Sequence, residues 1–158
     1  MPLVDDGTGG LTYQVIGCAM KAHNALGPGL KEEHYEDALA IELSNAGISF
    51  ERQKPVEINL GESNVGVVIL DLLVAEHLVV EVKARSWLLT NDEVGQVITY
   101  LAATELSVGL LINFGRRSLE FKRVFPPKKI EEFRNRINRY TVGPKTPPDT
   151  TRRAPESP

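Results

Sequence analysis

The stretch VGVVILDLLVAEHLVVEVKA runs from Val65 to Ala84 and says more about the architecture than any other part of the chain. Two short, strongly β-prone runs flank Ala75-Glu76-His77, the composition of an antiparallel hairpin. A three-residue turn pairs Val74 with Leu78 and so sets Asp71 directly opposite Glu81, with Cβ atoms about 5 Å apart. Lys83 lies two positions on from Glu81 and projects to the same face. Two carboxylates and an amine therefore leave one side of an otherwise aliphatic ribbon. Like charges that close resist joint ionisation unless a cation or a shared proton intervenes. A divalent metal is one solution.

Working outward, Leu11, Val15, Cys18, Ala22 and Leu26 recur at helical spacing ahead of the Gly27-Pro28-Gly29 break. A second helix is expected over roughly Leu30 to Ala46, with Tyr35, Leu39 and Leu43 on its inner face and Gly47 as its C-cap. Glu32 belongs near that inner face, whereas Glu33 turns with Asp37 to solvent. Residues 48–60 read as a strand interrupted near Pro55. After the hairpin, Asn91-Asp92 caps a helix of about Glu93 to Thr104, on which Gln96 and Tyr100 share a face and Val94, Val97, Ile98 and Leu101 pack. SVGLLINF, Ser107 to Phe114, reads as a buried central strand, and Ser118 to Phe125 as a further alternating one. A basic helix is expected from Lys128 to Tyr140. Residues 1–10 read as a loose terminus and residues 141–158, with five of the ten prolines, as a disordered tail. The domain is thus expected over residues 11–140, as a mixed sheet with helices packed on it, α/β or α+β.

Composition places the chain among ordinary soluble globules, with 42% hydrophobic and 25% charged residues, and 158 residues suffice for one domain with a core. No apolar run approaches a membrane helix, and the N-terminus carries no signal pattern, so a cytoplasmic location is expected. The lone Cys18 excludes an internal disulfide and a thiolate zinc cluster, and its place on a helical stripe argues for core. Charge is asymmetric. Residues 1–114 hold 6 Lys/Arg against 16 Asp/Glu, and residues 115–140 hold 9 against 3. A basic third beside an acidic body suits an anionic polymer, although a solvated helix face has the same composition.

Four elements can converge on one site: Glu32 from the second helix, Asp71 and Glu81-Val82-Lys83 from the hairpin, and Gln96 from the following helix. Hard oxygen donors suit Mg²⁺ or Mn²⁺ rather than zinc. Such an ion lowers the pKa of a water and neutralises a phosphoryl oxygen, and a lysine beside it can activate that water and stabilise the transition state. Magnesium-dependent phosphodiester hydrolysis is the natural chemistry. The plain alternative is an ion pair, Lys83 bridging Asp71 and Glu81 at a sheet edge, a common arrangement of little energetic weight. The flanking Val79, Val80, Val82, Leu72 and Leu73 speak against it, because strands covered on both faces make charges costly without a compensating partner. His23, His34 and His77 show no metal-ligand spacing, and Gly27-Pro28-Gly29 lacks the Gly-Lys-Ser/Thr of a phosphate loop. Trp87 is open to two readings, stacking on a base or packing beside the hairpin.

Gly29-Leu30-Lys31-Glu32-Glu33-His34-Tyr35 matches G-x-x-E-x-x-Y. Together with LDLLVAEHLVVEVKA, VGLLINFG and the Gln96/Tyr100 pair between them, it makes the chain resemble the GxxExxY protein family, which is grouped with the PD-(D/E)XK nuclease superfamily. The similarity covers about residues 11–125. It implies a restriction-endonuclease-like αβββαβ core with Asp71 and Glu81 as metal-binding carboxylates and Lys83 as the catalytic lysine. Glu32 would be the acidic residue of the first core helix, Gln96 the polar residue of the helix after the hairpin, and the Val82 carbonyl a further metal contact. The chain departs from the family pattern at Ile69, where an Arg usually precedes the Asp by two, and at Glu93-Val94, where a His-Glu pair usually precedes the Gln. Neither change removes an implied ligand, and both bear on substrate contacts.

The leading expectation is a nuclease dependent on Mg²⁺ or Mn²⁺, acting on DNA rather than RNA, with a homodimer open as its assembly. The competing one is a weak or inactive nuclease-fold module that binds nucleic acid or a protein partner, with Arg116, Arg117, Lys122 and Arg123 as its basic surface. A purely structural role, with the triplet as an ion pair, is the third.

Overall fold

The structure, a computed structural model, describes residues 7–127. The helix expected over residues 128–140 and the tail of residues 141–158 lie outside the described residues, as do the first six residues of the expected loose terminus. In chain order the elements are α1 (Leu11–Leu26), α2 (Glu32–Asn45), β1 (Phe50–Leu60), β2 (Ser63–Val74), β3 (Leu78–Lys83), α3 (Asn91–Thr104), β4 (Gly109–Asn113) and β5 (Glu120–Val124). The strands form one mixed sheet in the order β1-β2-β3-β4-β5. Only β3 and β4 are parallel; the other neighbours are antiparallel. A parallel pair needs a crossover, and α3 supplies it. The result is α+β, consistent with the expected restriction-endonuclease-like core.

Period-2 alternation divides the core into two layers. Leu78, Val80 and Val82 of β3, with Leu110 and Ile112 of β4, join the cluster of α1 and α2. Val79 and Leu111 join the cluster of α3, around Val97 and Leu101. All six residues of β3 and all five of β4 are buried, which is why these strands read as continuous apolar runs. Each fully buried aliphatic side chain here contributes about 1.5–3 kcal/mol.

Local chemistry explains the boundaries. The Tyr35 hydroxyl donates to the Gly27 carbonyl and accepts the Leu30 N–H at 3.0 Å, so the aromatic end of the G-x-x-E-x-x-Y segment ties down the turn before α2. Its ring is fully buried and stacks on Phe114, centroids 4.9 Å apart. Helix α2 starts at Glu32, two residues later than expected. It ends in paired bonds from Gly47 N–H to Ser44 and from Ile48 N–H to Leu43, with Gly47 at φ 75°. The cap of α3 is Thr90, not Asn91-Asp92: its hydroxyl accepts the Asp92 N–H at 3.2 Å, and Glu93 accepts the Thr90 N–H at 2.7 Å in return. Strand β1 is not interrupted at Pro55. It is an edge strand, where a residue without an N–H is tolerated, and Pro55 sits in register with Ile69.

Candidate active site

The hairpin turn takes three residues, and Val74↔Leu78, Leu73↔Val79 and Leu72↔Val80 set the expected register. Continued by one step, it places Asp71 opposite Glu81, but the pairing stops at Leu72↔Val80. In place of a backbone acceptor, the Asp71 Oδ2 takes the Val82 N–H at 2.9 Å. A residue's N–H and C=O project to the same edge of a strand, so the Val82 carbonyl also lies toward Asp71. The Lys83 carbonyl turns the other way and accepts the Phe114 N–H at 2.8 Å.

Strand β2 is distorted where Asp71 sits. Leu70 belongs to the α3 cluster and Leu72 to the α1/α2 cluster, although residues two apart ordinarily share a face. Across on β1, register is recorded for Arg52↔Leu72 and Lys54↔Leu70 with a gap between, and Gln53 in that gap has φ 49°. A positive φ is uncommon outside glycine. Gln53 is held there by a 3.1 Å bond from its Nε2 to Glu36 Oε1, while Arg52 Nε donates to Glu36 Oε2 at 2.9 Å. The buried carboxylate of Glu36 thus pins the β1 segment opposite Asp71.

Burial dominates the electrostatics. It raises the Asp71 carboxyl above its usual range, against the lowering effect of the Val82 N–H, and Glu36 and Glu32 add to the rise. Burial, with the Asp71 charge second, pushes Glu81 up to about 8. Lys83 Nζ lies 3.5 Å from Glu81 Oε2, longer than the 2.7–2.9 Å of a strong charge-assisted bond. Both side chains are nearly enclosed, 9% and 5% exposed. Lys83 therefore pairs with Glu81 rather than bridging both carboxylates, and the pair leaves the site unsatisfied: Glu81 Oε1 is buried with no hydrogen-bond partner. A buried polar oxygen left without a partner costs roughly 1–3 kcal/mol, and more once it is ionised.

That orphaned oxygen is what a bound cation would satisfy. Two hard carboxylates, with a backbone carbonyl on the same side, fit a largely hydrated divalent ion, which is commonly held by one or two carboxylates. Among the described residues no group of three His, Cys, Asp or Glu side chains lies close enough to hold a metal, so Glu32 does not complete an inner set with Asp71 and Glu81. Glu32 sits in the first turn of α2, half-exposed, 3.8 Å from Arg85 Nη1. Its charge is nevertheless felt by both carboxyls.

Gln96 bonds to Tyr100 on the same face of α3. Its Nε2 is 2.9 Å from the Tyr100 hydroxyl, whose acidity is weakened first by burial and next by the Glu81 charge. The four expected basic residues are spread over different faces and turns. Lys122 lies on the α3 face, aligned with Glu81 through Leu111 and so about 10 Å away across two strand spacings. Arg123 pairs with Leu110 and turns to the opposite face. Arg116 and Arg117 occupy the turn beyond Asn113, the residue paired with Lys83, at the same end of the sheet as the triplet.

Three residues of the surroundings escape a reading by periodicity. Glu36 follows Tyr35 on α2 and is buried, with no assignment from the apolar stripe. Arg85 links α2 to α3 through Glu32 and Glu93, the latter at 3.3 Å. Asn113, fully buried, accepts the Arg85 and Gly115 N–H groups at 2.8 and 3.1 Å and donates to the Trp87 carbonyl and Glu120, each at 3.1 Å. It fastens the segment that follows Lys83 to the end of β4. An Asn inside SVGLLINF was the available signal, because a polar residue in a buried strand needs partners.

A family model described as the PD-(D/E)XK nuclease superfamily matches residues 10–124, and the chain belongs to that superfamily. No curated protein matches the chain. Among the described residues no helix is long and apolar enough to cross a membrane.

Proposed function

We propose that this member of the PD-(D/E)XK nuclease superfamily hydrolyses phosphodiester bonds in DNA with the help of Mg²⁺ or Mn²⁺. The observation that carries the reading is the buried, partnerless Glu81 Oε1 opposite Asp71, with Lys83 only 3.5 Å from the other oxygen. Asp71, Glu81 and the Val82 carbonyl would hold the ion. Once bound, it supplies charge neutralisation at a phosphoryl oxygen and a more acidic water.

The remaining work falls to the chain's own groups. Lys83, enclosed and fixed by Glu81, orients an attacking water and stabilises the negative charge that grows on the phosphoryl oxygens. Gln96, held on Tyr100, orients the water or a phosphate oxygen. Glu32 acts from the rim, keeping Arg85 in place and the local potential negative. Arg116 and Arg117 contact the backbone of the nucleic acid at the same sheet end.

The test is cleavage by purified protein with each metal and with chelator, on single-stranded, duplex and branched DNA and on RNA, alongside Lys83→Ala. Metal-dependent cutting of DNA that vanishes in the variant supports the reading. No cutting of any substrate with either metal would sink it. A non-cutting nucleic-acid-binding module is the second reading. It draws on Glu93, which is engaged in capping Thr90 and pairing with Arg85 instead of facing the carboxylates.

A further inference from the structure

Trp87 is 56% exposed and Leu88 57%, on the loop between β3 and α3 and only four and five residues past Lys83. Packing beside the hairpin is therefore not what holds the indole. A large aromatic side chain left in water costs apolar hydration, so something else must fix its place. Two contacts do. The Arg85 guanidinium lies over the ring, 5.8 Å from its centroid, and is itself anchored by Glu93 and Glu32. The Trp87 carbonyl is bonded by Asn113 at 3.1 Å. The loop is fastened at its base and presents an aromatic surface.

Beside it lies an open cleft of about 340 Å³ lined by Pro28, Ser86, Gly115, Arg116, Arg117 and Ser118. The two loops abut so closely that a Cβ on Gly115 would collide with the Arg85 carbonyl. An exposed, pre-positioned aromatic next to a groove carrying two guanidiniums and two hydroxyls matches one ligand chemistry: a flat base attached to a phosphate. Bases in a duplex are stacked on each other and do not present their faces, whereas those of a single strand do.

We infer that Trp87 is a stacking platform for a base of single-stranded nucleic acid, with Arg116 and Arg117 holding the adjoining phosphates. The inference deepens the nuclease reading and rests on it for the choice of ligand. It makes the preferred substrate a single-stranded or unpaired segment entering beside Lys83.

Trp87 is the only tryptophan in the chain, so its fluorescence reports the contact directly. The full chain is titrated with oligo(dT) and with a duplex of equal length, in chelator so that nothing is cut. Binding is also followed by anisotropy of a labelled oligo(dT) for the wild type, Trp87→Phe, Trp87→Ala and Arg116→Ala/Arg117→Ala. Expected are quenching by oligo(dT) but not by duplex, affinity about tenfold weaker in Trp87→Ala, and near-normal affinity in Trp87→Phe. The double arginine variant is expected to bind more weakly and with a smaller salt dependence. Equal quenching by duplex, an unchanged affinity in Trp87→Ala, or a fluorescence change with protein concentration alone, which marks a surface for a second copy, overturns the inference. Cleavage is scored separately with Mg²⁺ or Mn²⁺ restored. Quenching without cutting upholds the platform and removes the nuclease reading; cutting without quenching does the reverse.

Discussion

The Asp71 carboxylate accepts the Val82 N–H at 2.9 Å, so a side chain of β2 ends the pairing of β2 with β3 next to Glu81 and Lys83. One group thereby has a structural duty and a proposed chemical one, and the two separate by substitution.

Asp71→Asn keeps an oxygen that can accept the Val82 N–H but removes the charge. Its metal-free melting temperature should stay within a few degrees of wild type. Mg²⁺ or Mn²⁺ should raise the melting temperature of wild type and leave that of the variant unchanged, since only a ligand bound to the native state stabilises it. Cleavage should fall by about a hundredfold or more. A variant that still responds to metal removes Asp71 from the proposed ligand set.

Lys83→Met should abolish cleavage to a similar degree, and its stability should depend on pH. Removing the cation leaves Glu81 buried without its partner, a loss worth about 3–5 kcal/mol when the carboxylate is charged. Glu81 can avoid much of that by staying protonated, because its carboxyl already titrates at about 8. Urea denaturation should show a small loss at pH 6 and a clearly larger one at pH 9. Equal losses at both would mean Glu81 does not feel Lys83.

The raised Glu81 carboxyl sets a pH profile for the metal-free protein. Between about 4.5 and 8 the folded state holds a proton that the unfolded chain has released. Its contribution to stability is full below pH 4.5 and is lost as pH rises through about 8. Glu81→Gln should remove that part of the slope. Metal binding must displace the same proton, so affinity should increase with pH up to about 8. Calorimetry in buffers of different ionisation enthalpy should find close to one proton released at pH 7. No proton release would contradict the assignment of Glu81 as a ligand.

Asn113→Ala deletes four hydrogen bonds at a fully buried position and leaves their partners unpaired. At about 1 kcal/mol each, a loss of roughly 2–4 kcal/mol is expected in urea unfolding. Amide exchange should quicken at Arg85 and Gly115, whose N–H groups Asn113 accepts. Gly115→Ala should loosen the same segment through backbone collision. Unchanged exchange at these amides would show that the segment is held by other contacts.

The turn length at Ala75-Glu76-His77, the register that carries Asp71 toward Glu81, and the burial of Val108 to Phe114 were all legible in local pattern. A strand has only two faces, and a short turn leaves few registers. Helix ends were less so. The capping role of Thr90 depends on a reciprocal bond with Glu93 that Asn91-Asp92 imitates in composition. The basic residues after Asn113 formed a group in the chain, yet Lys122 and Arg123 point to opposite faces because they are neighbours on one strand.

Order of elements, the hairpin register and the nearness of the carboxylates to Lys83 follow from periodicity and chain connectivity, which act over a few residues. The distortion at Asp71 does not. Leu70 and Leu72 go to different layers because α3 packs on one side of the sheet and α1 with α2 on the other, and Gln53 and Glu36 hold the opposing strand in the matching shape. Nor could any local pattern show that Lys83 stops at 3.5 Å from one oxygen and leaves the other bare. Desolvation and unmet hydrogen bonds are properties of the assembled interior, so it took the packed structure to turn three charges on a ribbon into an enclosed pair with one oxygen unmet.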